Sequence, residues 1–158
     1  MPGSVSASPS SFLNFAYGSN MLRARITARV PSARVVGPAV LRGHALRWHK
    51  AGGDRSGKCD VVRDAAPGAA VHGVLYEIAT VEKAALDRAE GLGAGYEERT
   101  VPVECRGRVV PAHLYVASAI DPSLAPYSWY RALVVAGARQ HALPAAYVEA
   151  LQAVAAIE

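Results

Sequence analysis

Between residues 34 and 117, runs of β-branched and aromatic residues are repeatedly cut short by Gly or Pro, and beyond Pro126 the apolar pattern changes to helical spacing. A chain punctuated in this way makes short strands joined by tight turns, followed by helices. Strand-like pieces are Arg34-Val35-Val36, Ala39-Val40-Leu41 and His44-Ala45-Leu46-Arg47-Trp48, separated by Gly37-Pro38 and Gly43. A polar, Gly-rich connection over residues 50–57 leads to a strand over 58–63, and another strand is expected over 71–78. Residues 96–105 and 109–117 read as a hairpin around Arg106-Gly107, with Glu97 and Arg99 on one face.

Upstream, Phe12 to Ala16 is a short aromatic strand that runs into the turn Tyr17-Gly18-Ser19-Asn20. Residues 21–30 then carry Met21, Leu22 and Ile26 at helical spacing, with Arg25 and Arg29 on another face and Pro31 as the stop. Ser19 or Asn20 is a natural N-cap, so unpaired backbone N–H groups are expected at this loop, a geometry that favours an anion. A second helix is expected from Thr80, burying Val81, Ala84, Ala85 and Ala89, and stopping at Glu90-Gly91, where Gly91 supplies a left-handed conformation. Helices over 127–140 and 145–156 complete the chain, the last opened by Pro144.

A length of 158 residues with 51% hydrophobic side chains suits one core. Residues 1–11, small and uncharged, are expected to be a flexible tail ahead of a single domain over 12–158. No apolar run approaches a membrane span, so the expectation is a soluble, cytoplasmic protein without membrane contact. Cys59 and Cys105 are expected to be reduced and structural. The net charge of +4 comes from scattered Arg and only three Lys, so it is a weak pointer to nucleic acid and fits an anionic small molecule equally well. The five histidines have no ligand spacing with the cysteines, so no metal site is expected. Gly52-Gly53-Asp54-Arg55-Ser56-Gly57-Lys58-Cys59 approaches a phosphate-binding loop, but Cys59 replaces the required hydroxyl residue and a strand follows where a helix is needed.

Three features stand in a fixed order: Phe15-Ala16-Tyr17-Gly18-Ser19-Asn20-Met21 after the first strand, Leu86-Asp87-Arg88-Ala89-Glu90-Gly91, and Gly95-Tyr96 entering a strand. Their order and separation resemble the γ-glutamylcyclotransferase family. The similarity extends through Val71-His72-Gly73-Val74-Leu75-Tyr76, through Tyr130 and Val135-Ala136-Gly137-Ala138, and on to Leu143-Pro144 and Tyr147, covering nearly everything after Phe12. The resemblance implies an α+β fold, a compact mixed β-barrel of about six strands with surrounding helices, and a pocket floored by residues 17–20. It implies the cyclisation of γ-glutamyl amides to 5-oxoproline and a free amine. Glu90 would be the general acid/base, with Tyr17, Gly18, Ser19, Asn20, Tyr96 and Tyr130 binding the substrate. No cofactor is implied, and the expected partner is a small γ-glutamyl compound, bound by a monomer or homodimer. Two other readings stay open: a γ-glutamylamine or a biosynthetic intermediate as substrate, or a non-enzymatic binding module whose pocket captures an acidic metabolite or whose basic surface meets RNA. Asp87 reads as a solvated or capping residue.

Overall fold

The computed structural model describes residue 7 and residues 10–158; the expected tail therefore lies mostly outside the described residues. Strand β1, Ser11–Ala16, starts one residue earlier than expected, and the Ser10 carbonyl accepts the Thr80 N–H. The remaining elements are a 3₁₀ turn at Ser19–Met21, α1 (Arg23–Arg29), β2 (Arg34–Arg42), β3 (His44–Ala51), β4 (Gly57–Arg63), β5 (Ala70–Ala79), a 3₁₀ turn at Thr80–Glu82, α2 (Lys83–Glu90), β6 (Tyr96–Cys105), β7 (Arg108–Ala117), α3 (Ser128–Gln140) and α4 (Ala145–Gln152).

Five strands close a barrel in the order β1-β5-β2-β6-β7, and β7 returns to β1 through the parallel pair Asn14 with His113. About six barrel strands were expected; β3 and β4 instead pair with each other as a separate two-stranded sheet lying against β5 and β7. The β5 strand is central because it is apolar on both faces: Val71, Val74, Leu75, Tyr76 and Ile78 are all buried. Gly73 belongs there because a β-carbon at this position would stand 2.4 Å from the Ala16 carbonyl oxygen and 2.7 Å from the Phe15 ring. The β6–β7 hairpin pairs from Tyr96 with Ala117 to Cys105 with Arg108, as the Arg106-Gly107 turn led one to expect.

The helices lie outside the barrel and anchor its connecting loops. α3 buries Tyr130, Val134, Val135, Gly137 and Ala138, and packs on the Ser19–Met21 turn and on α4. The expected helix over 21–30 is shorter, because a 3₁₀ turn takes Ser19–Met21 and Leu22 is extended before α1 begins. Likewise a 3₁₀ turn at Thr80–Glu82 precedes α2, and α4 stops at Gln152, ahead of the expected residue 156. Among the described residues, no helix is long and apolar enough to cross a membrane.

Candidate active site

The loop after β1 is held from every side. Tyr17 is buried and its hydroxyl donates to the Tyr115 carbonyl, while Tyr76, buried inside the barrel wall, donates to the Met21 carbonyl at 2.8 Å. Gly18 stands where a β-carbon would lie 3.1 Å from Tyr130 Oη and 3.2 Å from Cys59 Cβ, so a side chain here would make both neighbours give way by a few tenths of an ångström. The turn itself is closed by Met21 N–H to the Gly18 carbonyl at 3.1 Å and Leu22 N–H to the Ser19 carbonyl at 3.3 Å. Among the described residues, the N–H groups of Gly18, Ser19 and Asn20 have no backbone acceptor, as expected at the opening of a helical turn. The capping expectation needs correction. Leu22 occupies the N-cap of α1 without a side-chain bond; Ser19 Oγ instead accepts Arg25 Nε at 2.9 Å, and the Asn20 amide turns toward α2.

Glu90 is the last residue of α2, and Gly91 after it takes φ 76°, the left-handed conformation that ends the helix. Its side chain is 17% exposed and points to the Tyr17–Asn20 loop, where Asn20 Nδ2 donates to Glu90 Oε1. Arg29 Nη1 lies 3.4 Å from the same Oε1 and 3.1 Å from Asn20 Oδ1, so one guanidinium nitrogen joins both side chains. Burial raises the Glu90 pKa; the charges of Arg29, Lys50 and Arg25 and the Asn20 amide oppose it, and the net shift is upward. A carboxyl group raised by desolvation and held back by three cations is suited to taking a proton and returning it.

Between the loop and Glu90 lies a cavity of about 40 Å³ lined by Asn14, Phe15, Ala16, Tyr17, Gly18, Ser19, Asn20, Cys59, Glu90, Tyr96, Tyr115 and Tyr130. All seven residues singled out in the sequence line it, and Glu90 is its one acidic side chain among the described residues. Tyr96 donates to the Cys59 carbonyl at 2.7 Å, and Tyr130 Oη accepts the Cys59 N–H at 3.1 Å, so β4 is tied to β6 and α3 across the cavity wall. Burial pushes the Tyr17, Tyr96 and Tyr130 phenols well up, which keeps them protonated donors. It also pushes the Cys59 thiol up to about 12, which makes it a wall residue and not a nucleophile.

Sequence reasoning missed Arg25, Arg29 and Lys50 as members of the site. Lys50 Nζ sits 4.7 Å from the centre of the Tyr96 ring, and both arginines bond the loop. Their signal was present: two arginines one helical turn apart, directly after the Gly-Ser-Asn turn. Asp87 also needs correction. It is no free or capping acid, because it accepts Tyr115 Oη at 2.6 Å and pairs with Lys83 at 3.0 Å. Glu98 and His113 gather beside it, and Lys83 Nζ, 2.6 Å from Glu98, supplies the positive charge of that group.

The AIG2-like family profile matches residues 70–151. The human protein named gamma-glutamylcyclotransferase is 32% identical over 151 residues, covering 91% of this chain and 79% of that protein. The mouse protein of the same name is 31% identical over 156 residues, covering 90% and 78%. A solved structure titled gamma-glutamyl cyclotransferase superposes with a TM-score of 0.85 at 29% identity, covering 94% of this chain and 90% of that one. A yeast structure titled as a cyclotransferase specific to glutathione shares the fold alone, with a TM-score of 0.64 at 16% identity.

Proposed function

The chain belongs to the γ-glutamylcyclotransferase family, and on that premise we propose that it converts γ-glutamyl amides, γ-glutamyl amino acids first among them, into 5-oxoproline and a free amine. The observation that carries this reading is that, among the described residues, Glu90 is the one carboxylate lining a cavity floored by a loop whose N–H groups have no backbone acceptor.

The substrate's α-amine is tethered to the carbonyl it attacks, so binding in a folded conformation supplies much of the rate. What remains is proton movement. Glu90 takes a proton from the α-ammonium, the amine closes on the γ-carbonyl carbon, and Glu90 returns the proton to the departing nitrogen as the original C–N bond breaks. A second proton leaves the ring nitrogen by the same carboxylate. In sum the α-nitrogen loses two protons, the released amine gains two, and no oxidation state changes, so the reaction calls for no cofactor. The N–H groups of Gly18, Ser19 and Asn20 are the donors available to the oxyanion of the tetrahedral intermediate. Tyr96 and Tyr130 hold the wall opposite through Cys59.

The proposal extends to a cytoplasmic monomer or homodimer that works on a small molecule, without nucleic acid or membrane. Its test is a panel of γ-glutamyl-alanine, other γ-glutamyl dipeptides and γ-glutamylamines, with 5-oxoproline measured directly. Release of 5-oxoproline from the dipeptides is expected; a panel that yields none rejects the proposal.

A further inference from the structure

The three cations around Glu90 outnumber its one negative charge. Arg29 Nη1 contacts Glu90 and Asn20, and Arg25 Nε contacts Ser19. Among the described residues, the remaining N–H groups of the Arg29 guanidinium have no hydrogen-bond acceptor, and its side chain is 25% exposed. A guanidinium carries five donors in a planar fork that matches a carboxylate edge to edge, so a single nitrogen shared between an amide oxygen and a carboxylate 3.4 Å away leaves most of that capacity unused.

The cavity points the same way. At about 40 Å³ it holds roughly one or two waters, and a γ-glutamyl group is several times larger. Asn20 and Glu90 line the cavity and are bonded to each other, while Arg29 touches both and is absent from the lining. Asn20 and Glu90 thus form the part of the wall that stands between the cavity and Arg29, and a substrate that parts them reaches Arg29. The substrate brings its own carboxylate to that place. Its α-amine must touch Glu90 to lose a proton, and the α-carboxylate is borne by the same carbon as that amine, so it comes to rest within reach of the cation nearest Glu90.

We propose that Arg29 is the receptor for the substrate's α-carboxylate and that Glu90 occupies it only while the site is empty. The proposal rests on the cyclotransferase reading of the same site. It assigns the two anionic features of the substrate separately: the α-carboxylate goes to Arg29, and the oxyanion is left to the Gly18, Ser19 and Asn20 amides. It also couples binding to basicity. Arg29 is the largest of the charges that lower the Glu90 pKa, so once it pairs with the substrate carboxylate that restraint is relieved and Glu90 becomes the stronger base. The other groups facing Glu90 are Arg25 from α1, Lys50 from β3, the Asn20 amide and the Tyr17, Tyr96 and Tyr115 hydroxyls.

The experiment compares γ-glutamyl-alanine with its analogue in which the α-carboxylate is a neutral carboxamide, using wild type, Arg29→Gln and Arg29→Lys, with kcat and KM for 5-oxoproline release. Wild type is expected to prefer the carboxylate by about 100-fold in kcat/KM, the size of a lost charged pair in a desolvated site. Arg29→Gln should lose about 100-fold more on the carboxylate substrate than on the carboxamide, and so discriminate by less than about threefold. Arg29→Lys, which keeps the charge without the fork, should recover part of the preference and serves if the Gln variant does not fold. In wild type the acidic limb of kcat should lie above that of kcat/KM, and in Arg29→Gln the two limbs should converge. Undiminished preference for the carboxylate in both variants overturns the assignment while leaving the reaction intact. A wild-type enzyme that releases no 5-oxoproline from either compound overturns the reaction and the assignment together.

Discussion

Gly137 offers a severe test of how the site is held. It lies inside α3, where alanine would normally be the better residue by about 1 kcal/mol. Here a β-carbon would stand 2.6 Å from the Leu22 nitrogen, 2.8 Å from Met21 Cβ and 2.9 Å from the Met21 carbonyl carbon. Two of these three atoms are backbone, at the end of the very turn that carries Ser19 and Asn20, and they cannot swing aside as a side chain would. Overpacking of this kind costs ~1–3 kcal/mol, and contacts this short belong at the upper end. Setting ~3 against the ~1 gained in helix propensity leaves a net loss of ~2 kcal/mol. For a chain of this size that lowers Tm by about 4–8 °C. A loop pushed by a few tenths of an ångström also moves the unpaired N–H groups off their target, so kcat/KM should fall about tenfold. Thermal melts followed by circular dichroism, with γ-glutamyl-alanine turnover on the same samples, measure both. A Gly137→Ala protein that melts higher than wild type and keeps full activity would refute the claim that α3 sets the loop's position by direct contact.

Three further outcomes follow from the structure. Because burial raises the folded-state pKa of Glu90 above the ordinary carboxylate value, the folded protein holds that proton more tightly than the unfolded chain, and Glu90's contribution to stability declines as pH rises from the ordinary value through the raised one. The Tm of Glu90→Gln minus that of wild type should therefore become more positive across this interval; a flat or falling difference contradicts it. Tyr76→Phe removes the 2.8 Å bond to the Met21 carbonyl, which His141 Nε2 still contacts at 2.9 Å, so a loss of about 1 kcal/mol is expected and a urea midpoint equal to wild type counts against it. Asp60 is buried, accepts the Ala117 N–H at 2.8 Å and contacts His49 Nε2 at 2.7 Å. Asp60→Ala should cost about 3 kcal/mol in urea unfolding, and a loss under about 1 kcal/mol would show that these groups find other partners.

Local chemistry made much of the fold readable. The Arg106-Gly107 hairpin, the Glu90-Gly91 helix end and the strand over 71–78 all follow from turn residues and from apolar runs a few residues long, and each appears where expected. The pairings that close the barrel do not. β1 meets β5, and β2 meets both β5 and β6, across long stretches of chain, and nothing in the Val35 or Ala39 segments states which edge they will join. The same limit governed β3 and β4, whose residues read as ordinary strands but, among the described residues, pair with each other and not with the barrel, apart from a lone bridge from Lys50 to Ile120. At the site, Glu90 and the Tyr17–Asn20 loop were legible through the family resemblance. Arg29 was not, since its contact with Glu90 spans 61 residues and joins two helices whose packing no local pattern states.

The central claim is that one carboxyl group moves the protons of a ring closure. The most direct test is single-turnover conversion of γ-glutamyl-alanine by wild type and by Glu90→Gln, an isosteric change that keeps a partner for Asn20. 5-Oxoproline and free alanine are expected in equal amounts from wild type, with a rate lower by about 10²–10⁴-fold in the variant. A Glu90→Gln protein that cyclises at the wild-type rate would contradict the claim.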